Sequence, residues 1–215
     1  MKFVLRKEFQ SSVERSERVI KVAEAFGLGL EDRQFVVLDD VELDVNPGDV
    51  VYINGQSGAG KSVLLRELSE KLADAGQRVT NIDGVEFEDK PLIDQIGKAG
   101  MAEAIRLLSI AGLSDAYLYI RKPQELSDGQ RYRFRLAKLV EENADVWVAD
   151  EFGAVLDRVT AKIVAWNLSK VARSLGKTLI VATTHTDLRD ELAPSLAITK
   201  RFHDRIKIES AVHDE

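Results

Sequence analysis

Residues 55–62 read GQSGAGKS. They satisfy G-x-x-x-x-G-K-[ST] in full, and their flanks are the ones that pattern requires. Before them runs VVYIN (50–54), a short apolar stretch that predicts a buried strand. After them comes KSVLLRELSEKLADAG (61–76), where Val63, Leu64, Leu65, Leu68 and Leu72 recur at helical spacing and Gly76 supplies a stop. A strand, a glycine-rich loop and a helix in that order make a phosphate cradle. Gly55, Gly58 and Gly60 let the backbone N–H groups of the whole run, Gln56, Ser57 and Ala59 included, curl around a polyphosphate. The new helix points its positive end at the same anion. Lys61 is placed to reach the β- and γ-phosphates, and the Ser62 hydroxyl to ligate Mg²⁺.

A second apolar run, VWVADE, leads straight into Asp150 and Glu151. Beside a phosphate loop, an acid at a strand end holds Mg²⁺ through water or through the Ser62 hydroxyl. The acid next to it is free to polarise a water for attack on the γ-phosphate.

The remaining pattern alternates strands and helices, which predicts an α/β domain with a mainly parallel sheet. Strands are expected at 2–9, 35–45, 78–82, 145–150 and 178–184, with a C-terminal hairpin LAITKRF–HDR–IKIES. Helices are expected at 101–111, over RYRFRLAKLVEE and at 160–176, while 13–26 reads equally as helix or strand. No linker stands out, so 1–215 reads as a single domain. Trp147 and Trp166 fall at expected core positions, and His203 and His213 at polar surface ones.

Bulk composition narrows the partners. A net charge of −6 and a pI near 5.3 do not advertise non-specific binding to nucleic acid or anionic membranes. RYRFR with Lys138 could still form a local basic patch with interleaved aromatics. There is no cysteine, so disulfides and thiolate chemistry are out. The charged N-terminus is not a secretory signal, and no apolar run approaches the roughly 18 residues of a membrane span. The expectation is a cytoplasmic chain with no transmembrane segment of its own.

Between phosphate loop and carboxylates lies ELSDGQ (125–130). Leu126-Ser127-Asp128-Gly129-Gln130 resembles the LSGGQ signature of the ABC-type ATPases, with Asp in the third place, and Arg133 falls where that family usually has an arginine. Asp150 to Asp157, DEFGAVLD, aligns without a gap on the family's DEPTSALD, and His185 in TTHTD resembles its switch histidine. The resemblance covers roughly 20–190. It implies a P-loop core with a mainly parallel sheet, an N-terminal antiparallel β-subdomain and a short helical subdomain at about 90–140. It also implies ATP hydrolysis by a homodimer. Each copy would hold Mg-ATP on its own Gly55–Ser62 loop, and the partner's Ser127, Gly129 and Gln130 would close over the γ-phosphate. Glu151 would orient or deprotonate the attacking water, His185 would contact the γ-phosphate, and Asp157 would lie at the seam. Asp128 is expected to point away from the phosphate. The family's Q-loop glutamine is absent from GVEFEDK (84–90), leaving Gln95, Glu86 or Glu88 for that role. Phe26 is the first candidate to stack on adenine and Phe35 the second; either could instead be core.

Within that family, the runs from PLIDQIGK to LIVATTHTDL look like the ATPase part of archaeal fusions with GNAT-type acetyltransferases, here as a stand-alone, truncated or virus-like version. The short helical segment favours a soluble ATPase switching an unknown protein or nucleic-acid partner. The alternatives are the ATP-binding subunit of a membrane transporter and an ATP-dependent protein associated with nucleic acid.

Overall fold

The computed structural model describes residues 1–202 and 206–210. His203 and His213 lie outside the described residues. The chain expected to be undivided falls into two compact units: Lys2–Leu43, and Asp44–Glu215 together with Met1.

The smaller unit holds β1 (Lys2–Ser11), α1 (Glu17–Phe26) and β2 (Arg33–Asp44). Its two strands pair as an antiparallel sheet. The ambiguous stretch 13–26 becomes a helix because its ends are specified locally. Ser16 accepts a hydrogen bond from the Val19 N–H, and Gly27 closes the helix in the left-handed region at φ 63°. Leu5, Leu38, Val41 and Leu43 are buried.

The larger unit is built on a six-stranded sheet. Its strands are β3 (Val50–Gly55), β4 (Val79–Asn81), β5 (Val146–Ala149), β6 (Thr178–Thr183), β7 (Leu196–Lys200) and β8 (Lys207–Ser210). The spatial order is β4-β5-β6-β3-β7-β8. All neighbours run parallel except β8, which is antiparallel to β7. Strands β3, β5 and β6 are buried almost throughout, as uninterrupted apolar runs in a parallel sheet should be. In such a sheet ligands bind beyond the carboxyl ends of the strands. Those ends carry the phosphate loop after β3, Asp150-Glu151 after β5 and His185 after β6.

The helices of this unit are α2 (Lys61–Asp74), α3 (Met101–Ile110), α4 (Ala116–Tyr119), α5 (Asp128–Glu141), α6 (Arg158–Ser174) and α7 (Arg189–Leu192). The expected helical region at 90–140 contains α3, α4 and most of α5. It has no separate core. Leu92, Ala104, Leu107, Leu113 and Phe134 belong to the same buried cluster as Tyr52, Trp147 and Phe152. The Phe134 ring also stacks on Phe87 with centroids 5.3 Å apart.

The two tryptophans part company. Trp147 is fully buried in β5, as expected, whereas Trp166 is half exposed. Helix α6 turns Ala161, Val164, Ala165, Leu168 and Ala172 inward. Trp166 falls off that stripe and lies 4.6 Å from the Lys170 ammonium instead. Trp147→Ala should therefore cost about 3–5 kcal/mol in urea unfolding. Trp166→Ala should cost less than about 1 kcal/mol, and equal costs would contradict these placements.

Candidate nucleotide site

The phosphate loop is shaped by its neighbours. Gly55 has φ 145°, and a Cβ there would sit 1.8 Å from the Lys200 carbonyl oxygen of the adjacent strand. Only a glycine lets β3 run out this close to β7. Gly58 and Gly60 follow at φ 74° and 92°, and Gly60 is the N-cap of α2. No side chain caps that helix, so its first N–H groups remain for an anion. Lys61 lies back over its own loop, its Nζ donating to the Gly55 and Gln56 carbonyls at 2.9 Å each. Burial pulls its pKa down, while the Asp150 and Glu151 carboxylates push it up. Lysine and both acids are therefore close enough to feel one another. An uncapped helix start, a strand end that admits no Cβ at Gly55 and a buried ammonium together fit a polyphosphate.

Ser62 follows in the first turn of α2. Among the described residues no three of His, Cys, Asp or Glu gather as a metal-holding group. Ser62 and Asp150 offer the hydroxyl and carboxylate oxygens that Mg²⁺ takes as ligands, alongside phosphate oxygens and water.

At the end of β5 the chain turns sharply. Glu151 adopts φ 46°, a conformation rare for a residue with a side chain, and its N–H donates to Asp150 Oδ1 at 2.8 Å. Backbone strain of this kind gathers at functional sites. The turn is fixed from several sides. The Phe152 N–H donates to the Ala182 carbonyl at 2.8 Å, and the Thr183 hydroxyl donates to the Phe152 carbonyl at 2.9 Å. The Gly153 N–H donates to the Tyr132 hydroxyl at 3.3 Å. Desolvation of that phenol raises its pKa, so it stays neutral.

His185 is held by its backbone. Its N–H donates to the Thr183 hydroxyl at 3.1 Å, and its carbonyl accepts from the Tyr52 hydroxyl at 2.6 Å. Its ring Nδ1 lies 2.6 Å from Arg158 Nη1. Tyr52, Thr183, Tyr132 and Arg158 carry no motif. Tyr52 reads as one more core residue of VVYIN, and only the packed sheet reveals what its hydroxyl holds.

The signature stretch forms the N-terminus of α5. Ser127 is the N-cap; it accepts from the Gln130 N–H at 3.3 Å, and Gln130 Oε1 accepts from the Ser127 N–H at 2.9 Å. This is a closed capping box, yet the Ser127 hydroxyl proton remains available to donate. At Gly129 a Cβ would meet the Val155 carbonyl oxygen at 3.1 Å, so the glycine packs the signature onto the 150–157 turn. Asp128 is 79% exposed and paired with Arg131. Asp157 caps α6 by accepting from the Thr160 N–H at 3.0 Å and its hydroxyl at 2.6 Å. Those same bonds lower its pKa.

The basic run RYRFR is largely spent internally. Arg131 donates to the Leu126 carbonyl at 2.7 Å and Arg133 to the Gly112 carbonyl at 2.7 Å. Arg135 lies over the Phe87 ring and Lys138 over Phe134. The run therefore stabilises the helical region and its cations are already engaged.

Gln95 is buried and acts as a local strut. It accepts from the Glu88 N–H at 2.8 Å and donates to the Glu88 and Lys90 carbonyls at 3.0 and 2.6 Å. Glu88 pairs with Lys90, and Glu86 is exposed. Phe26 is 75% exposed at the end of α1 and Phe35 is half exposed on β2, so neither is core. Both belong to the smaller unit.

Known proteins resemble this chain in sequence and in fold. A family model described as ABC transporter matches residues 38–106. The chain is 30% identical over 203 residues to the methionine import ATP-binding protein MetN of Corynebacterium efficiens, covering 78% of this chain and 56% of that protein. It is 27% identical over 206 residues to MetN of Haemophilus influenzae, covering 79% and 58%. The chain thus spans a little over half the length of these curated relatives. In fold it matches the dimeric post-hydrolysis structure of the ATP-binding cassette MJ0796 bound to ADP and Pi. The TM-score is 0.66 at 18% identity, over 97% of this chain and 98% of that one. A second dimeric structure of MJ0796, titled a bacterial ABC transporter cassette, gives a TM-score of 0.64 at 20% identity, over 83% and 92%.

The tight fit at Gly55 is open to test. Gly55→Ala should destabilise the chain by more than about 2 kcal/mol and abolish retention of ATP. Gly84→Ala, at a position with open space around it, should shift stability by no more than about 0.5 kcal/mol. Thermal unfolding and ATP binding measured on both variants check this, and a benign Gly55→Ala would refute the close approach.

Proposed function

We propose, from the premise that this chain is an ABC-type ATPase domain, that it is the ATP-binding subunit of a membrane transporter. It hydrolyses ATP as a homodimer on the cytoplasmic face of a permease supplied by another polypeptide. Kinship with importer subunits favours this reading over a soluble switch acting on an unknown protein or nucleic acid. So does the internal use of the RYRFR cations. No helix among the described residues is long and apolar enough to cross a membrane, so the membrane part belongs to the partner. The relatives reported above are importer subunits and an ATP-binding cassette, and they lend no support to the expected likeness to the ATPase part of acetyltransferase fusions.

The observation that carries hydrolysis is the strained Glu151 beside Asp150, both acting on the buried Lys61 ammonium. Gly55–Ser62 binds the phosphates and Lys61 reaches the β- and γ-phosphates. Mg²⁺, when bound to Ser62 and Asp150, neutralises phosphate charge and aligns its oxygens. Glu151 orients the attacking water and accepts its proton. His185 donates to the γ-phosphate. The partner copy adds the Ser127 hydroxyl, the Gly129 N–H and the start of α5, which are donors aimed at developing charge. Gln130 steadies Ser127, and Asp157 meets its counterpart at the seam.

Glu151→Gln should slow turnover by about 10²–10⁴ while ATP binding persists and an ATP-loaded dimer accumulates in sedimentation. Adding Ser127→Arg should return that dimer to ATP-bound monomers. Normal turnover in Glu151→Gln would refute its role, and dimers that ignore Ser127→Arg would refute the sandwich. Pull-down of the trapped protein from detergent-extracted membranes should recover an integral membrane protein. Recovery of nucleic acid or soluble protein alone would overturn the transporter reading.

A further inference from the structure

Arginine has donors only, so the contact between Arg158 and His185 has one possible direction: the guanidinium donates and Nδ1 accepts. A neutral imidazole that accepts at Nδ1 carries its proton on Nε2. Arg158 is itself anchored, its Nη2 lying 2.7 Å from Asp187 Oδ1, two residues beyond the histidine. The backbone on either side of the ring is fixed by Thr183 and Tyr52. Only the ring's rotation and tautomer are left undetermined by the main chain, and Arg158 settles both.

We propose that Arg158 is a positioning residue that locks His185 as its Nε2–H tautomer, so that the ring's free donor faces the terminal phosphate. The role of that donor rests on the hydrolytic function proposed above. Position matters as much as chemistry. Arg158 is the first residue of α6 and directly follows Asp157, the N-cap of that helix. A shift of the Asp157 turn on dimer closure would carry the guanidinium with it. The clamp thus couples the seam to the group that touches phosphate, a connection that the separate motifs do not contain.

The test begins with the nucleotide-free full chain, labelled with ¹⁵N. The chain has three histidines, and the His185→Gln variant identifies the resonances of His185. Long-range ¹H–¹⁵N spectra should show an unprotonated Nδ1 and a protonated Nε2. Arg158→Met, which has similar length and no donor, should lose this bias. Arg158→Lys, which keeps a donor, should restore it in part. In steady-state ATPase assays Arg158→Met should lower kcat roughly tenfold with KM for ATP unchanged, and Arg158→Lys should recover part of the loss. A wild-type ring protonated at Nδ1 would overturn the proposal. So would an Arg158→Met chain with unchanged tautomer, or with a changed tautomer and normal kcat. A wild-type chain without ATPase activity would instead refute the proposed function, while the ring spectra would still decide whether the clamp exists.

Discussion

The Lys61 ammonium is the charge around which the larger unit's carboxyl edge is arranged. Burying an unpaired cation is expensive. Here the cost is met by the Gly55 and Gln56 carbonyls at 2.9 Å and by the fields of Asp150 and Glu151. Each of these partners requires a different part of the fold. The carbonyls point inward only because Gly55 can adopt φ 145° against Lys200. The acids arrive only because β5 lies two strands from β3 with β6 between them. A phosphate competes directly with this arrangement, drawing the ammonium off its own loop. The loop is therefore held in shape by its lysine before a ligand arrives, which reduces the ordering cost of binding.

The signature stretch meets a second constraint. It must present donors to an anion and also terminate a helix stably. The capping box reconciles these demands, because a hydroxyl that accepts from the Gln130 N–H can still donate its own proton. An acid at Asp128 would oppose an approaching phosphate if it shared that direction. Asp128 instead pairs with Arg131, whose charge offsets part of its own. Gly129 is different. Its environment is the Val155 carbonyl and the Leu156 side chain, so its smallness serves packing within the chain as well as any approach by a partner copy.

Some of this was legible from residues alone. The P-loop, the β5 acids and the switch histidine announce themselves because each is a strand end followed by a local pattern, and local patterns survive in one dimension. The strand-helix alternation likewise gave an α/β core. The rest depends on distant contacts. Trp166 misleads because its neighbours on α6 decide which side faces inward, and three of those, Ala161, Ala165 and Ala172, are too small to mark a bulky apolar stripe. Gln95 reads from the sequence as a candidate for the Q-loop role, and nothing there shows that three backbone groups of 88–90 converge on its amide. Helix 17–26 turns on two caps, Ser16 and Gly27, which outweigh a composition that fits strand equally well. The division at Leu43 leaves no trace as a linker, since β2 runs through it unbroken.

The same reasoning separates what this chain determines from what its partner must. Its buried polar network ties together the ends of β3, β5 and β6 through Tyr52, Thr183 and the Phe152 carbonyl. Under the proposed function, those groups brace the edge that handles phosphate. In the transporter reading, cargo choice belongs to the permease. Selectivity and energy supply would then reside in different polypeptides, joined by a mechanical coupling. A coupling of that kind needs an element that both ATP and the partner can bias. In the transporter reading, the turn from Glu151 to Arg158 is the segment that links the most such contacts within this chain. It begins at a strained acid, packs against the signature glycine, caps α6 and ends on the arginine that faces His185. A displacement of any one of these contacts reaches the others through fewer than ten residues of chain.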